Sequence, residues 1–175
     1  MKHEIVQFYS AAKAKITADD EMFIRKHLSH QEQIIFYRQR IADQRHALDT
    51  AYKTEKEIEH SDWVNEKRIL KTALLHDIGK AAVFMPLWVR PLVVISKKFM
   101  PSFLGYLAEK GSKPEARLAY RYFYTYVFHP EIGAKMLKEI GVEREVLTLI
   151  SLHHEPPSPS EPKELPILRR ADNAS

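Results

Sequence analysis

Residues 69–80 read ILKTALLHDIGK. In the first half of this stretch Ile69, Leu70, Ala73 and Leu74 fall on one apolar face of a helix. The segment from Asn65 to His76 is read as that helix, apolar enough to lie in the interior. It then runs into His76, Asp77 and Lys80 within five residues. A charge at the end of an interior helix needs a partner or a metal ion. A hydrogen-bonded, inert core histidine therefore explains this site poorly, and the rest of the chain is read for groups that could join it.

The flanking segments are helical as well. Thr17 followed by Asp20, and Ser29 followed by Glu32, have the form of capping boxes, in which a hydroxyl accepts from an orphan amide and a carboxylate reaches back. A short helix should follow each. Residues Ile41 to about Ile58 have a helical composition without Gly or Pro. Pro86, Pro91 and Pro101 are expected to break the region beyond Lys80 into pieces. In HPEIGAKMLKEIGV, residues 129–142, Pro130 stands where a first helical turn tolerates it and Gly141 is a candidate C-cap. Another helix should run from about Glu143 to His153. The proline-rich residues 155–166 are a loop by composition, and a last helix should begin near Leu165 or Pro166. There is no strand pattern, repeat or internal linker. The expected fold is an all-α bundle forming one domain over residues 1–175, with N-terminal helices over 1–40.

Composition limits the chemistry. The chain has 175 residues and no cysteine, so it can build a sizeable core without disulfides, and any metal must be held by nitrogen and oxygen ligands. The first fifteen residues mix charged with apolar groups and lack the apolar core of a signal peptide, so a cytoplasmic location is expected. The net charge of +4 is too small to argue for a nucleic acid polymer as partner. Its distribution is uneven. Between Trp88 and Arg121 seven basic residues (Arg90, Lys97, Lys98, Lys110, Lys113, Arg117, Arg121) face two acidic ones, Glu109 and Glu115. Such a stretch could attract a phosphate-bearing ligand or an anionic membrane face, and a solvated helical surface is the plainer reading. The apolar run from Ala81 to Val89 is shorter than the roughly 20 residues of a membrane span. A lid or core segment is preferred there over peripheral membrane contact through Trp88, Leu92, Val93 and Val94.

The groups that bind divalent metals, in chain order, are His46, the pair His76 and Asp77, His129, the pair His153 and His154, and Asp172. Each falls on or at the end of an expected helix. Five imidazoles and two carboxylates would fill two octahedral sites that share a bridging carboxylate and keep open positions for water and substrate. Each residue alone is a weak signal, and His3, His27, His30 and His60 are read as capping or solvent-facing. The joint pattern is the informative feature.

That order of motifs resembles the HD superfamily of metal-dependent phosphohydrolases, and LLHDIGK has the form that names its HDIG subgroup. HPEIGA and LISLHHE are further similar to the dinuclear HD-GYP phosphodiesterases. The resemblance runs from about Ile41 to Ser175 and implies a helical bundle with a helical insertion over 81–128, between the HD motif and the following His-Pro motif. It implies that His46, His76, Asp77 and Asp172 hold one divalent transition metal ion, and that Asp77 bridges to a second held by His129, His153 and His154. Manganese, iron, nickel and zinc all suit such ligands. In the family such a pair activates a hydroxide nucleophile and binds substrate phosphate. Lys80 matches the family's phosphate-contacting lysine, and its alternative role is a cation at a helix C-terminus. Arg40 and Arg45 are further candidates for phosphate contact. The implied substrate is a small phosphorylated molecule such as a nucleotide or dinucleotide.

Departures qualify the resemblance. Ala42 stands where some HD-GYP proteins carry a glutamate for a third metal, so two metals are expected. The loop after His154 lacks the GYP signature, which puts cyclic di-GMP in doubt. The insertion is rich in aromatic and basic residues, among them Phe99, Phe103, Tyr106, Tyr120, Tyr122 and Tyr124, which could roof the site and stack on a base. An aromatic stripe that packs the insertion on the bundle is the preferred reading for most of them. Two other functions stay open: a di-iron oxygenase of HD type, and a non-catalytic nucleotide-sensing module. Adjacent residues on an ideal helix point about 100° apart, so His153 and His154 can share a metal only if the helix ends there.

Overall fold

The HDIG segment sits at the end of a helix that is buried over seven consecutive residues, Ile69 to Leu75. The computed structural model describes residues 15–86 and 89–175, apart from the side chains at 90, 91, 94, 97 and 98. His3 with the rest of 1–14, Trp88, and the side chains of Arg90, Val94, Lys97 and Lys98 lie outside the described residues. The described residues form helices and no strand, an all-α bundle: α1 (Ala18–His27), α2 (His30–Phe36), α3 (Ile41–Ile58), α4 (Glu66–Leu75), a 3₁₀ turn (Ile78–Ala82), α5 (Val89–Phe99), α6 (Pro101–Gly111), α7 (Leu118–Glu139), α8 (Arg144–Leu152) and α9 (Leu165–Ala174).

Helix α4 is buried from Ile69 to Leu75, including Lys71, whose ammonium lies 2.9 Å from Glu32 and 3.1 Å from Glu143. Helices α1, α3, α8 and α9 pack against it, and α7 packs on the 3₁₀ turn and on α8. Their inward residues, including Leu48, Leu74, Leu137, Val146, Leu149, Ile150 and Leu168, make one continuous core with Phe36 of α2. A small separate cluster of Met85, Val89, Val93 and Leu104 packs with Tyr122, Phe123, Tyr126 and Val127, and fastens the insertion to α7.

Local signals set the element boundaries. Both capping boxes form, Thr17 with Asp20 and Ser29 with Glu32. Gly141 takes a φ of +80°, and the Gly141 and Val142 amides donate to the carbonyls of Lys138 and Leu137 at 3.1 Å. This is a complete Schellman closure, with Val142 and Leu137 both in the core. The chain breaks around Pro86 and at Pro101 as expected, and only the expected break at Pro91 is corrected. Pro91 lies in the first turn of α5 and Pro101 opens α6, where a missing N–H costs no helical bond. A kink at Phe128, whose φ and ψ are −107° and 19°, divides α7 into two helical stretches, and Pro130 stands in the first turn of the second, where its missing N–H is tolerated, as expected.

Asp20 ties α1 to α3. Its carboxylate, nearly inaccessible, accepts from the Thr17 amide at 2.8 Å, the Thr17 hydroxyl at 2.9 Å, the Arg45 guanidinium at 2.7 Å and the Tyr52 hydroxyl at 2.8 Å. Burial works against the charged form, but these donors outweigh it and hold the carboxyl below its ordinary value. A depressed carboxylate contributes stability above the unfolded value near 3.8 and loses it as pH falls through the lower folded value. Asp20→Asn should therefore cost about 2 kcal/mol at neutral pH. Thermal melts of variant and parent should draw together as pH falls through the lowered folded value.

Candidate metal centre

Three of the histidines occupy the same local position, just past a helix end or bend. His76 caps the C-terminus of α4, His153 caps that of α8, and His129 follows the bend at Phe128. At such places the last carbonyls lack helical partners. Each ring takes one of them: Nδ1 of His76, His129 and His153 lies 2.8, 2.8 and 2.6 Å from the carbonyl of Ala73, Tyr126 and Ile150. A carbonyl only accepts, so Nδ1 carries a proton, and each ring in its neutral form keeps the Nε2 lone pair for a metal. This is the second hydrogen bond that orients a metal-binding imidazole.

Those three Nε2 atoms and Asp77 Oδ1 are buried and have no hydrogen-bond partner. They lie close together. His129 Nε2 is 3.0 Å and His153 Nε2 3.9 Å from Asp77 Oδ1, while His76 Nε2 and His46 Nε2 are 3.5 and 3.7 Å from Asp77 Oδ2. From α9, Asp172 Oδ1 reaches His46 Nε2 at 2.9 Å and His76 Nε2 at 3.4 Å. His154 stands with His129 and His153, its ring centre 5.0 and 4.0 Å from theirs. The potential ligand atoms fall into two groups, Asp77 with His129, His153 and His154, and His46 with His76 and Asp172. Asp77 turns one oxygen to each. Four unpartnered donor atoms in a dry interior are costly. A cation among them removes the cost, so the residues fit a metal ion.

Charge tells the same story. Burial disfavours an ionised Asp77, but Lys80, His76 and His129 hold it well below the carboxylate range, and Asp172 is held low by His76 and His46 against the same burial. Burial likewise disfavours a charged His76, yet Asp77 and Asp172 raise it to about 9. His153 moves the other way, pushed down by burial and by its neighbours His76 and His154. The chain thus holds two ionised carboxylates in its interior and offers Lys80 and the His76 proton against them. A divalent ion binding here would displace that proton.

The remaining candidates are placed as follows. Lys80 Nζ sits 2.5 Å from Asp77 Oδ2, so the 3₁₀ turn carries it back over the site. Arg45 is engaged by Asp20 at 2.7 Å and Asp49 at 3.0 Å, and the Arg40 guanidinium lies 3.7 Å over the Phe84 ring. Helix α8 ends at Leu152, which lets the adjacent His153 and His154 turn to the same place. His27 is not solvent-facing: it is buried, with its ring 4.5 Å from that of Phe23. Asp43, buried one turn before His46, was not singled out in the sequence. Its charge helps to keep Lys80 protonated.

Two glycines make the centre possible. A Cβ on Gly79 would lie 2.0 Å from the His129 carbonyl oxygen and 2.8 Å from the Gly133 amide, and one on Gly133 would lie 3.0 Å from the Gly79 amide. The 3₁₀ turn and α7 therefore meet backbone to backbone, which brings His129 to Asp77.

No protein-family model, curated protein or solved structure matches the chain.

Proposed function

We propose that the protein is a metal-dependent phosphohydrolase of HD type that cleaves a small phosphate ester, a nucleotide or dinucleotide, at a dinuclear centre. The observation that carries this reading is the position of Asp77, with its two oxygens facing two separate ligand groups and the imidazole lone pairs held open toward them. His46, His76 and Asp172 would hold one divalent ion, His129, His153 and His154 the other, and Asp77 would join them. Such a pair of ions supplies a hydroxide at neutral pH and neutralises phosphate charge. The chain's own part is to fix the ligands. The Ala73, Tyr126 and Ile150 carbonyls lock three ring orientations. Burial of His76, Asp77, His129 and His153 lowers the local dielectric, which strengthens each charge interaction. Lys80, about a quarter exposed, brings a cation from Asp77 to the open side, where it can meet a phosphate oxygen. The phosphate preference over oxygen chemistry rests on this lysine.

The test is elemental analysis of the purified protein before and after soaking in manganese, followed by assay on a panel of nucleotide mono- and diesters. Two ions per chain with metal-dependent ester cleavage is the expected result. One ion or none after soaking would refute the dinuclear centre, and two ions with oxygen consumption but no hydrolysis would refute the phosphohydrolase. His129→Ala should lose one of the two ions and keep the other. A variant that still holds both would contradict the assignment of the second group.

A further inference from the structure

The helical hairpin beyond the HDIG turn carries an apolar face that no other described residue covers. Helices α5 and α6 bury Val89, Val93, Leu104 and Ala108 on one side. On the other, Leu92, Ile95 and Phe99 follow each other along α5, and Phe103 and Tyr106 along α6, all between 48% and 69% exposed. Met100, which joins the two helices, is also exposed. Single exposed apolar side chains are ordinary, but a contiguous set this size marks a binding surface.

The charge around that face identifies what it fits. From Ala81 to Ala108 the chain contains no Asp or Glu, whereas Arg90, Lys97 and Lys98 are within it, and Glu109 and Lys110 follow. Just beyond, the Lys110 ammonium lies 4.5 Å from the centre of the Tyr106 ring, so a cation stands directly beside the exposed aromatics. An exposed apolar face on a segment whose charge is mainly basic matches a bilayer with anionic lipids. Its apolar side chains enter the boundary between headgroups and acyl chains, and its cations remain among the phosphates. No described helix is long and apolar enough to cross a membrane, so the contact would be in the plane of the surface.

We propose that the α5–α6 hairpin docks the protein on anionic membrane surfaces, with Leu92, Ile95, Phe99, Phe103 and Tyr106 in the interface and the basic residues of the segment supplying the attraction. This is independent of the metal centre. The test is sedimentation of the full chain with vesicles of equal parts phosphatidylglycerol and phosphatidylcholine, and with vesicles of phosphatidylcholine alone. Binding to the anionic vesicles is expected to be at least ~10-fold tighter than to the neutral ones and to weaken with added salt. Lys97→Ser with Lys98→Ser should cost about 5-fold per charge. Phe99→Ser with Phe103→Ser should weaken binding about 10-fold without lowering the melting temperature, since both side chains are exposed. Failure to bind anionic vesicles overturns the proposal. Binding that the Phe99 and Phe103 substitutions leave unchanged also overturns it, as does a dimer in solution that those substitutions dissolve while no vesicle is bound.

Discussion

Asp77→Ala should abolish metal binding in both halves of the centre at once, and ester hydrolysis with it. Oδ2 of this residue faces His46 and His76 and Oδ1 faces His129 and His153, all between 3.0 and 3.9 Å, so its loss removes the one anionic group common to both. The first group keeps Asp172, but the second is left with imidazoles alone. Substitutions of residues that merely orient metal ligands cost roughly 10- to 100-fold in affinity, so loss of a shared ligand should cost more than 100-fold. The measurement is metal content after dialysis at micromolar free metal. A folding defect is a separate matter, because the substitution also strips Lys80 of its ion-pair partner. Asp77→Asn addresses this: it keeps the shape, removes the charge, and should keep a cooperative melt while losing the ions. Two ions retained by the folded Asn variant would show that Asp77 does not join the groups, and hydrolysis retained by either variant would contradict the proposed mechanism.

The fold was legible because its signals are local. Thr17, Ser29, Asn65 and Gly141 mark ends that depend only on residues a few positions away, and each end forms where the chain places it. The buried helix α4 was legible from its apolar run. Pro101 marks the break between α5 and α6, but Pro91 was misread as a break because a proline's effect depends on whether its N–H is needed, and in the first turn of α5 it is not. The aromatic stripe divided. Tyr122 packs the insertion on the bundle as expected, but Phe99, Phe103 and Tyr106 face outward. Residue type gives hydrophobicity, and only the angle at which α6 leaves α5 decides which side is covered.

At the centre, the convergence of seven residues from five parts of the chain was suggested by motif order and spacing, which composition alone does not supply. Two features were beyond that reading. The use of Arg45 depends on a partner, Asp20, 25 positions away in sequence. The free Nε2 atoms depend on carbonyls left over at helix ends, a consequence of where α4 and α8 stop and α7 bends. Glycine spacing was also silent. Gly79 lacks a positive φ, so the usual conformational argument for a glycine does not apply. It is there for room.

That distinction gives the second large effect. Gly79→Ala should lower the melting temperature and selectively weaken the ligand group that contains His129. The new Cβ would overlap the His129 carbonyl oxygen at 2.0 Å and crowd the Gly133 amide at 2.8 Å. Both are backbone atoms, so no side chain can rotate out of the way and the turn must part from α7. Overpacking of this kind costs about 1–3 kcal/mol, and the upper end is expected where backbone meets backbone. Any separation moves His129 away from Asp77, whose oxygen it approaches to 3.0 Å, whereas His46, His76 and Asp172 sit on other helices. Metal content should therefore fall toward one ion per chain. Gly133→Ala should act in the same direction but less, since its Cβ would be crowded at 3.0 Å rather than overlapped. Gly105→Ala is the control: nothing lies within 4 Å of its Cβ, and within α6 the change should raise stability by about 0.5–1 kcal/mol. If Gly79→Ala melts like the parent and holds as much metal, the close approach is not what positions His129. A loss confined to Gly79 and Gly133, with a gain at Gly105, ties the second half of the centre to the backbone contact between turn and helix.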